Sequence, residues 1–458
     1  MNRRPLLNRL ARLLEPGELV LEPAVLEAHA GDKWFARNLP EAVALPRSAE
    51  SVSKVLAFAS RHRIPVTPRG AGHGYVGGCV PVQGGIALSV AGMDRILAIS
   101  ADDFTATVQP GVITARLQEA VEKKGLYYPP DPASRADCSI GGNVATNAGG
   151  PRCLKYGVTR DYVLGLEVVL PDGERVRLGG RTHKNKTGFD LHRLFVGSEG
   201  MLGVVTEATL KLLPLPPYRA CLGLGFRDMA TATKVLRAIF RAGFLPSALE
   251  LADRFTVEAA RKRTGSALLQ GAGALMIVEL DGHERSVRRE IADLDRIVRP
   301  FAPTFRQKGL GPEGCERFWK LRREFSYSLR DTGLTKLNED VVVPRGQLGA
   351  LFRLGAGIQR RHGIRVACFG HAGDGNIHVN LMVDDTKPEQ RAKCDAALDE
   401  LFRGILALGG SVTGEHGIGL AKKPWWPLAV SPESDRLHRR IKAALDPQGI
   451  LNPGKFLG

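Results

Sequence analysis

Four side chains in the C-terminal half have types and spacings suited to chemistry: His371, His378, Glu415 and His416. The run Arg365-Val-Ala-Cys-Phe-Gly-His371-Ala-Gly-Asp-Gly-Asn-Ile-His378-Val-Asn380-Leu-Met-Val383 reads as two strands around a turn. With a two-residue period, His378 and Asn380 share one face while Val379, Leu381 and Val383 take the other. The Gly-Asp-Gly turn can fold His371 back toward them. Further on, Thr413-Gly-Glu415-His416-Gly-Ile-Gly419 places a carboxylate beside an imidazole on a glycine-flanked loop. Two histidines and a carboxylate make a borderline-hard divalent site of catalytic type. Taken alone, however, His-x6-His is more often structural, so spacing leaves both readings open.

A different chemistry is written between Tyr128 and Gly150, YPPDPASRADCSIGGNVATNAGG. From Ser139 onward this stretch holds four glycines, two asparagines and no charged side chain. It should make a poor helix, and it lacks the alternation of a strand. What it offers is bare backbone N–H groups at close approach, with amide side chains beside them. Those groups suit a pyrophosphate and a polar ring system. A second glycine-rich stretch, Arg69-Gly-Ala-Gly-His73-Gly-Tyr-Val-Gly-Gly78, is weak evidence by itself. No Rossmann-length βαβ unit with an acidic residue beyond it accompanies the loop, so nicotinamide binding is not indicated.

PDPAS…SIGGNVATNAGG…YGVTRDYVLGLEVVLPDG resembles the flavin domain of FAD-linked oxidases of the vanillyl-alcohol oxidase (PCMH) type. More narrowly it resembles the branch with D-lactate dehydrogenase, D-2-hydroxyglutarate dehydrogenase and the glycolate oxidase flavin subunit. It extends from residue 40 to the C-terminus. The resemblance implies FAD held by Arg69, Gly70, Ala71, Gly72, His73, Gly74, Gly77 and Gly78 of one loop. From the other it implies Pro130, Asp131, Ser134, Gly141, Gly142, Asn143, Thr146, Asn147, Gly149 and Gly150. Gly203, Val205 and the tail residue Asn452 complete that set. His73 departs from the threonine usual in this branch; elsewhere in the superfamily a histidine here is bonded covalently to the flavin.

The same resemblance makes His371, His378 and Glu415 ligands of a divalent metal, zinc or manganese, Asn380 a further polar contact and His416 the catalytic base. Phe318-Trp319-Lys320-Leu321-Arg322 is similar to the family's Trp-x-x-Arg element and implies Arg322 as a clamp on the substrate carboxylate. Lys336 is a second cation candidate. The expected activity is oxidation of a small D-2-hydroxy acid, D-lactate ahead of glycolate and D-2-hydroxyglutarate. Electrons would leave to a quinone, an electron-transferring flavoprotein or a partner subunit. A homodimer and peripheral contact with the inner face of a membrane stay open. A metallohydrolase built on His371, His378 and Glu415 is the alternative from another class; it leaves the glycine loops unexplained.

Composition bounds these readings. The chain has 458 residues, 43% hydrophobic and 24% charged, as a soluble globular protein would. Its net charge of +16 is dispersed and lacks a nucleic-acid reader motif, so anionic substrates, an acidic electron-accepting partner or a membrane face are the expected attraction. Seven cysteines without CxxC spacing read as reduced thiols of a cytosolic protein and exclude the usual iron–sulfur ligation. No apolar run reaches the length of a membrane span.

The elements that must carry the two chemistries follow from pattern. Leu6, Leu10, Leu13 and Leu14 mark one face of an N-terminal helix. Ser48 should cap a helix burying Val52, Val55, Leu56 and Ala59. Gly197, Gly200 and Gly203 should let a strand pass close under the cofactor. Beyond Pro217, amphipathic helices such as 229–242 and 284–299 alternate with strands such as 274–279. The expected fold is α+β: a two-part flavin domain, then a cap with an antiparallel sheet. Expected borders are an N-terminal segment 1–39, a flavin domain 40–215, a cap with the metal site 216–420, and a tail 421–458 returning to the flavin.

Overall fold

In the computed structural model, which describes residues 3–458, Ser48 starts the helix Ala49–His62 as its type predicts. Its hydroxyl accepts the Ser51 N–H at 3.1 Å, and Val52, Val55, Leu56 and Ala59 are all buried. That helix belongs to the first of two compact units, made of residues up to Gly150 with Gly157–Leu215 and Glu415–Gly458. The second unit is Pro151–Tyr156 with Pro216–Gly414. The N-terminal segment and residues 415–420 thus fall in the first unit, whereas the expected borders lay at 39 and 420.

The first unit holds a four-stranded sheet in the order Leu19–Val20, Ala42–Ala44, Ile86–Ser89, Val66–Arg69. The last three strands run parallel. A five-stranded antiparallel sheet runs Ile96–Ser100, Thr105–Val108, Val204–Lys211, Val163–Val169, Arg175–Gly179. The N-terminal helix Arg4–Ala11 packs into the same core through Leu7 and Leu10. Leu13, expected on that face, is 51% exposed, because the helix ends before it and Leu7 takes the inward position.

Two local expectations change. Residues 140–146, read as irregular, form a short α-helix, with the Ser139 hydroxyl accepting the Gly142 N–H and Asn147 ending it in the left-handed region. Burial of Ile140 and Val144 outweighs the poor intrinsic propensity of its glycines and asparagine. Residues 197–203 are a turn, not strand: Gly197, Glu199 and Gly200 all have positive φ, and the strand begins at Val204.

The second unit is a seven-stranded antiparallel sheet in the order Phe305–Leu310, Tyr218–Phe226, Ala274–Gly282, Ala248–Asp253, Arg365–His371, Asn376–Val383, Thr335–Val342. The helix Gly311–Arg330 covers one of its faces. Phe325 meets Phe369 edge-on at 5.9 Å, and the Trp319 indole donates to the buried Glu279 at 2.6 Å. Arg152 balances that carboxylate at 2.8 Å. The helices at 229–241 and 284–298 match the amphipathic pattern almost to the residue.

Candidate functional site

Cross-strand register collects the polar residues of the second unit. His371 lies opposite Asn376, Phe369 opposite His378, His378 opposite Asp340, and Asn380 opposite Asn338. Paired positions share a face, so His371, His378, Asn380 and Lys336 line one surface under the helix Gly311–Arg330. The two histidine rings meet edge-on with centroids 5.9 Å apart.

The group that organises this surface is Glu250, 1% exposed and absent from the sequence expectations. One of its oxygens pairs with His371 Nδ1 at 2.6 Å and the other accepts from Arg322 Nε. Burial alone would raise its carboxyl pKa, but its pairing with His371 and Arg322 holds it below the usual range. A carboxylate on Nδ1 fixes the tautomer so that Nε2 carries the lone pair, the arrangement found behind metal-binding histidines. Arg322 is held further by stacking over Phe369 at 4.8 Å.

Asp340, fully buried, is a second residue that sequence reasoning passed over. It accepts from Asn376 Nδ2 at 2.7 Å, the Gly414 N–H at 2.9 Å and the Thr413 hydroxyl at 3.1 Å. The chain is thereby fixed at Gly414, the residue before Glu415. Asn380 is also fully buried; its amide donates to the Ala367 and His378 carbonyls, and its Oδ1 has no hydrogen-bond partner among the described residues. Lys336 Nζ donates to the Ser326 hydroxyl at 2.8 Å. Burial, with the Arg330 charge second, draws its pKa down to about 8.

In the first unit the two glycine-rich stretches meet. A Cβ on Gly70 would lie 2.7 Å from the Ser139 hydroxyl oxygen, which instead accepts the Ala71 N–H at 3.2 Å. Gly72 and Gly77 have positive φ, and Gly74 accepts the Lys33 N–H through its carbonyl at 2.9 Å. Asn452, in the tail, donates to the Gly78 and Glu199 carbonyls at 2.9 and 2.7 Å. Its Oδ1 is buried with no partner among the described residues. The backbones of Gly70–Gly74, Gly141 and Gly142 stay partly exposed, while Pro130, Asp131, Gly149 and Gly150 are buried around them. An unpartnered amide acceptor beside bare loop backbone fits a cofactor with phosphates and a hydrogen-bonding ring.

Several expected cofactor residues have internal roles for their side chains. The Arg69 guanidinium bonds the Gly31 carbonyl at 2.6 Å and Cys79 Sγ at 3.3 Å. Asn143 donates to the Thr114 hydroxyl at 2.7 Å, Thr146 to the Gly142 carbonyl, and Asn147 accepts the Arg160 N–H. Ser134 closes a turn through its carbonyl, and Gly203 packs against Val168, the cross-strand neighbour of Val205. These residues can shape the cradle through their backbones. His73 is half-buried; burial first and Lys33 next lower its pKa, which favours the neutral imidazole. His416 also belongs to this unit, stacked on Tyr75 of the glycine loop with centroids 5.2 Å apart.

Residues 40–179 match the FAD binding domain family, and residues 215–456 match the family of FAD linked oxidases, C-terminal domain. The chain belongs to the FAD-linked oxidases. This FAD-linked oxidase is 39% identical over 420 residues to glycolate oxidase subunit GlcD of Bacillus subtilis, covering 92% of this chain and 89% of that one. It is 35% identical over 432 residues to a D-lactate dehydrogenase of Anaerostipes hadrus, covering 92% and 90%. A D-2-hydroxyglutarate dehydrogenase of Stutzerimonas stutzeri is 34% identical over 464 residues, covering 98% of each chain. In fold it is similar to p-cresol methylhydroxylase, with a TM-score of 0.81 and 19% identity over 99% of this chain and 96% of the other. It is an FAD-linked oxidoreductase with the α+β architecture expected from its sequence. The metallohydrolase alternative has no remaining support, since the glycine loops it left unexplained belong to a flavin domain. No helix among the described residues is long and apolar enough to cross a membrane, and no disulfide links the cysteines.

Proposed function

We propose that this oxidase converts a small D-2-hydroxy acid, D-lactate foremost, to the 2-oxo acid with FAD and a divalent metal, zinc or manganese. The observation that carries the reading is Glu250, one buried carboxylate holding both a metal-type histidine and the clamp arginine. His371 and His378, whose rings meet edge-on 5.9 Å apart, would give the ion two imidazole ligands, with Glu415 as the carboxylate. Two imidazoles and a carboxylate suit zinc or manganese with an open position. Glycolate oxidase, D-lactate dehydrogenase and D-2-hydroxyglutarate dehydrogenase among the relatives support the substrate class.

Arg322 holds the substrate carboxylate through the guanidinium edge that Glu250 leaves, and Asn380 Oδ1 supplies a polar contact. His416 takes the hydroxyl proton, a role suited to imidazole near neutral pH. When bound, the metal lowers the pKa of the hydroxyl, and the flavin accepts the hydride. His416 stacks on the glycine loop that would hold the cofactor, which supports its place at the reacting carbon. Electrons then leave to a quinone, an electron-transferring flavoprotein or a partner subunit. His73 is the nucleophile a covalent tether would use; flavin that leaves entirely with the supernatant after acid precipitation excludes the tether.

The direct test is anaerobic bleaching of the flavin. D-lactate should bleach it, L-lactate should not, and added NAD should stay oxidised. Equal bleaching by the L isomer, or NAD reduced in step with substrate, would overturn the assignment.

Lys336 favours a second reading. Its ammonium is half-buried on the same face as His378 and Asn380, and a dicarboxylate such as D-2-hydroxyglutarate would satisfy it. Lys336→Met should then lower kcat/KM for D-2-hydroxyglutarate about 10-fold or more, the usual effect of removing one charged hydrogen bond, and leave D-lactate nearly unchanged. Equal loss with both substrates would refute a distal-carboxylate role.

A further inference from the structure

We propose that Glu199 is the positioning residue for His416, fixing the loop that carries the base onto the flavin-loop unit. The inference rests on the role proposed for His416 and goes beyond it. Glu199 sits in the turn before the strand Val204–Lys211, at φ 51°, a conformation that costs a residue with a side chain free energy. Such a backbone persists only where neighbours hold it. Its N–H donates to the Ala145 carbonyl at 2.8 Å, and its own carbonyl accepts from Asn452 at 2.7 Å. The carboxylate is thereby aimed at the loop after His416. One oxygen accepts the Ile418 N–H at 2.7 Å and the other the Gly419 N–H at 2.8 Å.

Those are the residues two and three beyond His416. Gly417, between His416 and Ile418, has φ +84°, and a Cβ there would lie 2.8 Å from the Glu199 carboxylate. The far end of the loop is tied as well: the Leu420 and Ala421 N–H groups both donate to the Val76 carbonyl, at 2.7 and 3.1 Å. The near end carries the His416 ring stacked on Tyr75. Tyr75 and Val76 belong to the glycine-rich stretch, and Ala145 to the short helix that closes the cradle. The hydrogen bonds of Glu199 thus run to the flavin cradle and to the base's own loop. Burial raises the pKa of the Glu199 carboxyl, the two N–H donors oppose that rise by favouring its ionised form, and one donor on each oxygen makes the hold directional.

The test uses the full-length, FAD-loaded protein with Glu199→Gln, His416→Ala and the double variant. An amide keeps one acceptor oxygen and turns an NH2 toward the other N–H, so one bond is lost. Amide exchange at Ile418 and Gly419 should rise about 10–100-fold, the scale of losing one charge-assisted hydrogen bond, with flavin content unchanged. Anaerobic flavin reduction by D-lactate should slow about 10-fold or more through kcat, with KM little changed. The double variant should be no slower than His416→Ala, as for residues acting as a unit. Should Glu199→Gln fail to accumulate, Gly417→Ala attacks the same contact from the other side, and the same rise in exchange and fall in rate are expected. Unchanged exchange, or a double variant slower by the product of the single losses, overturns the positioning role alone. Full activity in His416→Ala overturns the base, and the positioning role with it.

Discussion

His416→Ala should slow anaerobic flavin reduction by D-lactate about 10²–10⁴-fold, the usual contribution of a positioned general base. Flavin content and metal content should both stay at wild-type levels. The expectation follows from what the side chain touches. In its own unit it stacks on Tyr75 and lies on a loop held by Glu199 and Val76. Removing the ring leaves those backbone bonds intact, so the cradle should survive the substitution. Stopped-flow absorbance of the flavin is the measurement, because it reads the proton and hydride steps without the unknown electron acceptor. A loss under about 10-fold would mean that another group or solvent takes the proton. A large loss accompanied by loss of flavin would mean that the ring supports the cradle and is no base.

What the sequence discloses and what it hides divide along a physical line. The strand–turn–strand at 365–383 and the helix capped by Ser48 are local patterns, and the fold reproduces both of them. Their residues act through their own backbone or through the period of a strand. The partners that make the site work are remote. Glu250 is 121 residues from His371 and 72 from Arg322, and Glu199 is 219 from Ile418. An acidic residue in an apolar strand, as in Ala248–Asp253, is the one sign available, since a buried carboxylate there needs a cationic partner. The short helix at Ile140–Thr146 fails the other way: its local preference is wrong, and packing of Ile140 and Val144 decides. Arg69 and Asn143 show that a residue can occupy a binding stretch while its side chain braces the scaffold.

Glu250→Gln should lower metal affinity about 10–100-fold, the range seen when the partner behind a ligand histidine is changed. The neutral amide no longer stabilises the tautomer with a charge, so His371 becomes a less basic ligand. The same substitution leaves Arg322 largely buried beside a neutral group, and breaking such a pair typically costs about 3–5 kcal/mol of stability. The two consequences separate experimentally. Excess zinc or manganese should restore the metal, measured by content after gel filtration. It should not restore the clamp, so KM for D-lactate should stay raised in the metal-saturated variant. Glu415→Gln provides the contrast, because it touches the proposed ligand set and leaves the Glu250 pairs alone. There, excess metal should recover activity with a normal KM, and chelation should abolish D-lactate bleaching in the parent and both variants. If bleaching in the parent is indifferent to chelator, the site holds no catalytic metal and Glu250 serves only to brace His371 and Arg322. If instead Glu250→Gln recovers both rate and KM when metal is added, Arg322 does not bind the substrate carboxylate. Lys336, the half-buried cation on that face, then becomes the residue to test for that contact.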